Sequence, residues 1–372
     1  MSRATSPSGP AVARLRTGYT TGACAAAAAR AACRAARSGE PVEAVAITLP
    51  NGQEARFAVA LCEPGTGTAR CGVVKDAGDD PDVTHGALIV AEVVLLDAPG
   101  VVVRGGRGVA RVTRPGLGLE VGAEAINPVP RRNIEAMVAA ELLGSGRAGA
   151  RVTISVPDGE ALAARTLNPR LGLLGGISIL GTTGVVRPFS TAAWRASVLQ
   201  AIDVASAAEL THLVFTTGGR TEAAAMRLLP ALPELAFVQV GDFVGAALRG
   251  TRRRGVERVS IVAMVGKLAK MAAGLLQTHA SHGEVDLALL AALAAQAGAE
   301  PVLRERVAAA NTARHALDLC RQAGLDRLPA LLCRRAVEAL SPCAGPAVRL
   351  AAVLVDFEGA PLGAHPPLQE AA

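Results

Sequence analysis

The stretch Leu167–Ser190, LNPRLGLLGGISILGTTGVVRPFS, decides how the rest of the chain is read. Its apolar run from Ile177 to Leu180 reads as a short buried strand. The turn that follows, Gly181-Thr182-Thr183-Gly184, offers backbone amides with no bulky side chain in the way, which makes it a candidate ligand floor. An ordinary tight connection accounts for the same glycines. Pro188 and Ser190 then give a helix-start signal, with Ser190 as N-cap before TAAWRASVLQAIDVA. The rhythm of the chain differs on the two sides of that cap.

Upstream the pattern is rich in strands. The segment LRTGYTTGACAAAAARAACRAAR (15–37) predicts a helix over about residues 23–37, capped by Thr20 or Thr21. Thr20-Thr21-Gly22 is an anion-friendly helix start, and the pattern recurs as GTTG at 181 and TTGG at 216. Arg30, Arg34 and Arg37 share one helix face and read as a solvated stripe. Asn51-Gly52 marks a hairpin between runs 42–49 and 55–61. Strands are expected near 87–97, 101–104, 109–113 and 151–156, around one helix near 131–143, with Asp76, Asp79, Asp80 and Asp82 in a loop between strands. This is an α+β layered domain.

Downstream the unit is strand, Gly/Thr loop, helix: HLVF then TTGGRTE, FVQV then GDFVGAAL, and RVSIVAMV then GKLAKMAAGLL. Short continuous apolar runs of this kind suit parallel strands buried on both faces. A doubly wound α/β domain follows, whose ligands bind outside the carboxyl ends of the strands. Thr217, Gly218, Gly219, Gly241, Asp242, Gly266 and Lys267 would converge there. Helices are expected over 284–340, RLAAVLVDF near the end as an edge strand, and residues 359–372 as a tail. The divisions are thus a disordered tail at 1–13, a domain at 14–188, a domain at 189–358 and the C-terminal tail.

The chain has 372 residues, 51% hydrophobic and 19% charged, which is globular and long enough for two cores. A net charge of +6 suits an anionic partner, but one Trp, one Tyr and six Phe leave little for base stacking. An anionic small molecule is expected and nucleic acid is not. The greasiest region, ALIVAEVVLLDAPGVVV, is interrupted by Glu92 and Asp97, so no membrane span is expected. The basic N-terminus lacks the apolar segment of a signal peptide, which points to the cytoplasm.

Seven cysteines without a CxxC pair, and His279 and His282 without a zincin carboxylate, predict no structural metal. The aspartate loop fails as a calcium site because Gly78 takes a ligand position. A Walker A loop ending at Gly266-Lys267 fails at Ile261 and Leu268. Dinucleotide fingerprints fail at Arg111 and Val121. PGLGLEVGAEA (115–125) is superficially similar to the glycine loop of small-molecule kinases but lacks their paired serines.

Six ordered stretches carry a closer resemblance: LRTGYTTGACAAAAA (15–29), KDAGDDPDVTHGALI (75–89), GLGLEVGAEAINPVPRR (116–132), NPRLGLLGGISILGTTGVVRP (168–188), GDFVG (241–245) and GKLAKMAAGLLQTH (266–279). With them the chain resembles the cobalt-precorrin-5B C-1 methyltransferase family of the anaerobic cobalamin pathway. The resemblance implies methyl transfer from S-adenosylmethionine to ring carbon 1 of a cobalt-bearing corrinoid, cobalt entering only with the substrate. It also implies a ribosomal-protein-like two-layer α+β domain followed by a Rossmann-like three-layer α/β domain. Two departures are Ala263-Met264 where the family commonly has Gly-His, and Ala280 where it has Ser.

On this reading Gly181, Thr182, Thr183, Gly184, Thr217, Gly218, Gly219, Gly241 and Asp242 hold the donor. Arg170, Arg187, Arg220 and Lys267 meet the acceptor's carboxylates, with Thr20, Thr21, Gly22 and Lys75 also on the substrate side. Asp79, Asp80 and His279 are the candidate catalytic groups. Because like charges repel, the aspartates are expected to face the donor's cationic groups or the macrocycle's N–H edges; a turn bonded to its own amides is the alternative. A small-molecule kinase and a non-catalytic corrinoid carrier are the rival functions, and a homo-oligomer is compatible with the sequence.

Overall fold

The computed structural model describes residues 15–367, so the expected tail at 1–13 lies outside the described residues. The chain divides into two compact units, one running to Thr113 and again over Leu119–Ser190, the other comprising Arg114–Gly118 and everything from Thr191.

In the first unit β1 (Gly18–Tyr19) leads into α1 (Thr21–Ser38), then β2 (Ala44–Thr48), β3 (Glu54–Ala58), β4 (Leu61–Gly65), β5 (Thr68–Val74), β6 (Leu88–Leu96) and β7 (Gly100–Gly105). There follow β8 (Gly108–Val109), β9 (Arg111–Val112), α2 (Pro128–Leu142), β10 (Gly149–Ser155), α3 (Gly159–Ala163), β11 (Leu173–Leu174), β12 (Gly176–Ile177) and β13 (Val185–Val186). The main sheet has the order β4-β5-β6-β10-β7, antiparallel except for the β10–β7 pair. The predicted hairpin is β2 paired with β3.

Helix α1 is buried almost all round, and alanine is why it can be. Side chains of one carbon let it lie close against both β5–β6 and α2. Thr20 caps it, accepting from the Ala23 amide at 3.2 Å, and Gly39 ends it in the left-handed conformation. The arginine stripe is not solvated as expected. Arg30 and Arg34 each donate to the buried Glu141 of α2, at 2.8 and 2.7 Å, and Arg37 donates to the Glu141 carbonyl. A carboxylate buried against α1 needs those cations.

The second unit continues with α4 (Thr191–Ala207), β14 (His212–Thr216), α5 (Gly219–Leu228), β15 (Phe237–Gln239), α6 (Val244–Thr251), β16 (Arg258–Ala263) and α7 (Val265–Ala272). It closes with α8 (Leu287–Gln296), α9 (Pro301–Ala308), α10 (Ala313–Gln322), α11 (Leu328–Ala344), β17 (Arg349–Val355) and β18 (Pro361–His365). The sheet order is β15-β14-β16-β17-β18, the first four strands parallel and β18 antiparallel. Two expectations are corrected here. Segment 349–355 is an interior strand, because Pro361–His365, expected in a tail, pairs along it and forms the edge. Among the described residues no helix is long and apolar enough to cross a membrane.

Candidate functional site

In the second unit β14 leads to β15 on one side, and the next strand, β16, lies on its other side. The order therefore reverses between β14 and β16, and a crevice opens where their carboxyl ends part. The loops that meet along this edge are Thr217–Gly219 after β14, Gly241–Asp242 after β15 and Met264–Lys267 after β16. A Cβ at Gly218, Gly219 or Gly266 would find no atom within 4 Å, so the backbone there is open to another molecule. Beneath them Thr216 Oγ1 is fully buried and has no hydrogen-bond partner, which a native interior rarely tolerates without a water or ligand.

The loops are braced from below. Thr221 Oγ1 accepts from the Thr217 amide at 3.0 Å and donates to the Gly218 carbonyl at 2.8 Å. Lys267 pairs with Asp242, whose same carboxylate oxygen accepts from Thr278 Oγ1 at 2.8 Å. Burial of Asp242 works against its charge, but the Lys267 and Thr278 hydrogen bonds prevail and hold the carboxyl below its ordinary range. Lys267 is thus committed to a loop, and Lys270 donates to the Thr278 carbonyl at 3.1 Å. Trp194 lies against Gly241, whose φ of 56° is left-handed; a Cβ there would come within 3.2 Å of the indole nitrogen.

Beside the crevice a cavity of about 660 Å³ opens past the carboxyl ends of β16 and β17. Met264, Val265, Gly266, Leu317, Val355 and Leu362 give it apolar walls; Lys270, Arg314, Arg321, Glu284, Asp318, Asp356 and Glu358 give it charge. Phe357 closes one side, with the Arg220 and Arg314 guanidinium carbons 5.1 and 4.6 Å from its ring centroid. Of the residues expected to converge on the ligand site only Gly266 lines this cavity, although Arg220 reaches its wall. Its lining comes from segments 264–287, 311–321 and 355–362, and no spaced motif announces it.

His279 is exposed; its Nδ1 lies 2.8 Å from Ser281 Oγ and accepts from the Ser281 amide at 3.2 Å, so it caps a 3-10 turn over Ala280–His282. The two histidines do not share an α-helix face. Pro115–Gly118 belongs to this unit, and Gly116 lies against the Asp203 carbonyl, 2.6 Å from where a Cβ would stand. That glycine is explained by packing, whereas Gly118 in the same loop faces open space.

The remaining expected residues lie in the first unit. Thr21 Oγ1 accepts from the Leu180 amide at 2.9 Å and lies 3.1 Å from the Ser178 carbonyl, so it locks the start of α1 to the 178–180 segment. Ile177 to Leu180 is less regular as a strand than expected, since the ladder covers Gly176–Ile177, Ile179 adds only an isolated bridge to Ile126, and Leu180 is half exposed. A Cβ at Gly22 would stand 2.7 Å from Pro130, and one at Gly181 2.4 Å from Thr20. Gly184 packs on Leu49 and its carbonyl accepts from the Thr20 amide at 3.0 Å; the Thr183 carbonyl accepts from Asn51 at 3.3 Å. Thr182 and Arg187 are exposed and Arg170 is half-buried. The space left by the glycines at 181 and 184 is thus taken by protein atoms, unlike that at 218 and 219.

The aspartates build their own loop. Asp79 accepts from the Arg16 amide at 2.6 Å, Asp80 from the Phe189 amide at 2.9 Å, and Asp76 pairs with the Arg16 guanidinium and the Gly78 amide. The Arg16 hydrogen bond first, and the Gly78 amide second, pull the Asp76 carboxyl down to about 2. Lys75, buried, donates to Asp82 at 2.7 Å. Of these contacts only the Gly78 amide is one of the turn alternative; the others tie the loop to Arg16, Lys75 and Phe189. Among the described residues no group of three or more His, Cys, Asp or Glu side chains is placed to hold a metal ion.

Two family models match the chain, CbiD over residues 9–188 and the CbiD C-terminal domain over 277–366. A cobalt-precorrin-5B C(1)-methyltransferase of Rubrobacter xylanophilus is 55% identical over 97% of this chain and 95% of its own length. One of the same name from Salinispora tropica is 54% identical over 93% of this chain and 91% of its own. Among solved structures, a cobalamin biosynthesis protein (cbiD) from Archaeoglobus fulgidus is 31% identical with a TM-score of 0.38, covering 69% of this chain and 79% of that one.

Proposed function

The chain belongs to the CbiD family, and we propose that it methylates ring carbon 1 of cobalt-precorrin-5B, giving cobalt-precorrin-6A in anaerobic cobalamin biosynthesis, with S-adenosylmethionine as donor. The observation that carries this reading is near-full-length identity to relatives bearing that enzyme name. The strand order supports reading the second unit as a Rossmann-like three-layer domain, and we read the first as a ribosomal-protein-like two-layer domain, the whole a cytoplasmic enzyme.

The open backbone at Gly218, Gly219 and Gly266 and the unpartnered Thr216 hydroxyl fit a polar small molecule at the switch-point crevice. When bound, the donor supplies a sulfonium methyl: the C–S bond breaks with its electron pair left on sulfur, the ring carbon provides the pair for the new C–C bond, and the positive charge the macrocycle gains is offset by loss of one proton. Such a carbon is enamine-like and already nucleophilic, so this chain's residues have to align and to exclude water rather than to abstract a proton first. Gly218 and Gly219 present amides to the donor, while the Thr217 and Gly241 amides are held by Thr221 Oγ1 and the Thr216 carbonyl. Asp242, Lys267 and Thr278 hold those loops in position. Arg170, Arg187 and Arg220 are the cations proposed for the acceptor's carboxylates. Thr20, Thr21, Gly22, Lys75, Asp79 and Asp80 serve the scaffold through the contacts described.

The test is transfer of label from methyl-labelled S-adenosylmethionine to an anaerobically prepared acceptor. A carrier would bind the corrinoid and leave it unlabelled.

A further inference from the structure

The cavity past β16 and β17 shares Gly266 with the crevice, yet its chemistry differs from what a polycarboxylate needs. Its lining carries four carboxylates, Glu284, Asp318, Asp356 and Glu358, against three cations. An acceptor bearing many carboxylates would meet like charge there. At about 660 Å³ the cavity lies within the range of roughly 300–1,000 Å³ typical of pockets for drug-sized ligands, well short of a site that encloses a whole corrinoid. Apolar walls from Met264, Leu317 and Val355 suit the faces of a flat heteroaromatic ring, and carboxylates accept hydrogen bonds from vicinal hydroxyls.

We infer that this cavity takes the adenosine half of the methyl donor, the base between the apolar walls and the ribose hydroxyls on the carboxylates, Asp356 foremost. The assignment rests on the donor reading above. Asp356 stands at the carboxyl end of β17, and its Oδ1 is spent on the Ala360 amide at 2.8 Å, which fixes the side chain in place. Its other oxygen is the acceptor offered to the ligand. Gly266 is the doorway, with nothing within 4 Å of where a side chain would begin.

The test is calorimetric binding of S-adenosylhomocysteine, with adenosine as competitor, to the full chain and two variants. Gly266→Leu adds a side chain to open space at a position in α7 where leucine is favoured over glycine by about 1 kcal/mol, so folding is retained. Asp356→Asn keeps the acceptor for Ala360 and removes the charge. Expected are displacement by adenosine in the parent protein, and affinity reduced about tenfold or more in each variant at unchanged melting temperature. No binding by the parent protein would overturn the donor reading itself. Parent binding with full affinity in both variants would overturn the cavity assignment alone, and if Gly266→Leu did not fold, Asp356→Asn would decide the matter.

Discussion

Lys75 donates to Asp82 Oδ2 across 2.7 Å with 1% of its side chain exposed, so this lysine belongs to the loop that follows β5 and is not presented to a ligand. Asp82 also accepts from the Thr84 amide and hydroxyl, at 2.7 and 2.6 Å. Removing the cation leaves a carboxylate with two of its three hydrogen bonds and no counter-charge, in a place where water reaches it only in part. Lys75→Met is expected to lower unfolding free energy by about 2–3 kcal/mol, below the full cost of a broken buried pair because Asp82 is 26% exposed. Urea unfolding measures this. An unchanged midpoint would mean the pair contributes nothing.

A second expectation concerns Glu141 and the arginines of α1. Glu141→Gln keeps hydrogen-bond capacity but leaves Arg30 and Arg34 facing a neutral group, and a loss on the order of 2 kcal/mol is expected. Arg34→Ala combined with Glu141→Gln should cost less than the sum of the two single changes, since both remove one interaction. Strict additivity would show the pair to be uncoupled.

The pH dependence has a definite sign. Burial opposes ionisation of Asp82 and Glu141, but hydrogen bonds from Lys75 and Thr84 in one, and from Arg34 and Arg30 in the other, outweigh it and hold both below their ordinary values of 3.8 and 4.5. Asp76 is held at about 2 by Arg16 and the Gly78 amide. A depressed folded value contributes stability above the unfolded value and loses it as pH falls through the folded one. Burial, and then the Arg258 charge, push His212 down from 6.5 to about 4, so unfolding also takes up a proton there below about 6.5. Melting temperature should therefore begin to fall near pH 6.5 and decline further from about 4.5 toward about 2. Glu141→Gln should flatten the part of that decline below 4.5. A melting temperature that rises on acidification would contradict the account.

Two glycines with the same sequence surroundings, each after a Thr-Thr pair, should behave oppositely. Gly22→Val drives a side chain into Pro130 and the Leu180 carbonyl, and should unfold or strongly destabilise the chain. Gly218→Val meets open space in an extended backbone, and should leave the melting temperature nearly unchanged while weakening S-adenosylhomocysteine binding about tenfold or more. If Gly218→Val binds normally, the loop is only a turn.

The contrast shows what the sequence makes legible. Runs such as His212–Thr216 and Arg258–Ala263 announce buried parallel strands through composition alone, and the hairpin announces itself through Asn51-Gly52. Segment 349–355 was legible as a strand but not as an interior one, because its outer neighbour, Pro361–His365, is proline-started and poor in β-branched residues. The arginine stripe reads as solvent-facing since its partner, Glu141, stands more than a hundred residues away. Thr-Thr-Gly at residues 20–22 and 216–218 looks alike on paper, and only packing separates the filled instance from the open one. The cavity draws on three distant segments, and nothing local in any of them marks it.

The most direct measurement is the position of the transferred methyl. Isotopically labelled S-adenosylmethionine, the purified chain and an anaerobic cobalt-precorrin-5B preparation should give one labelled methyl resonance whose carbon couplings place it on ring carbon 1, with an equivalent of S-adenosylhomocysteine. An acceptor that a known member of the family methylates, but that this chain leaves unlabelled or labels at another ring carbon, would contradict the account.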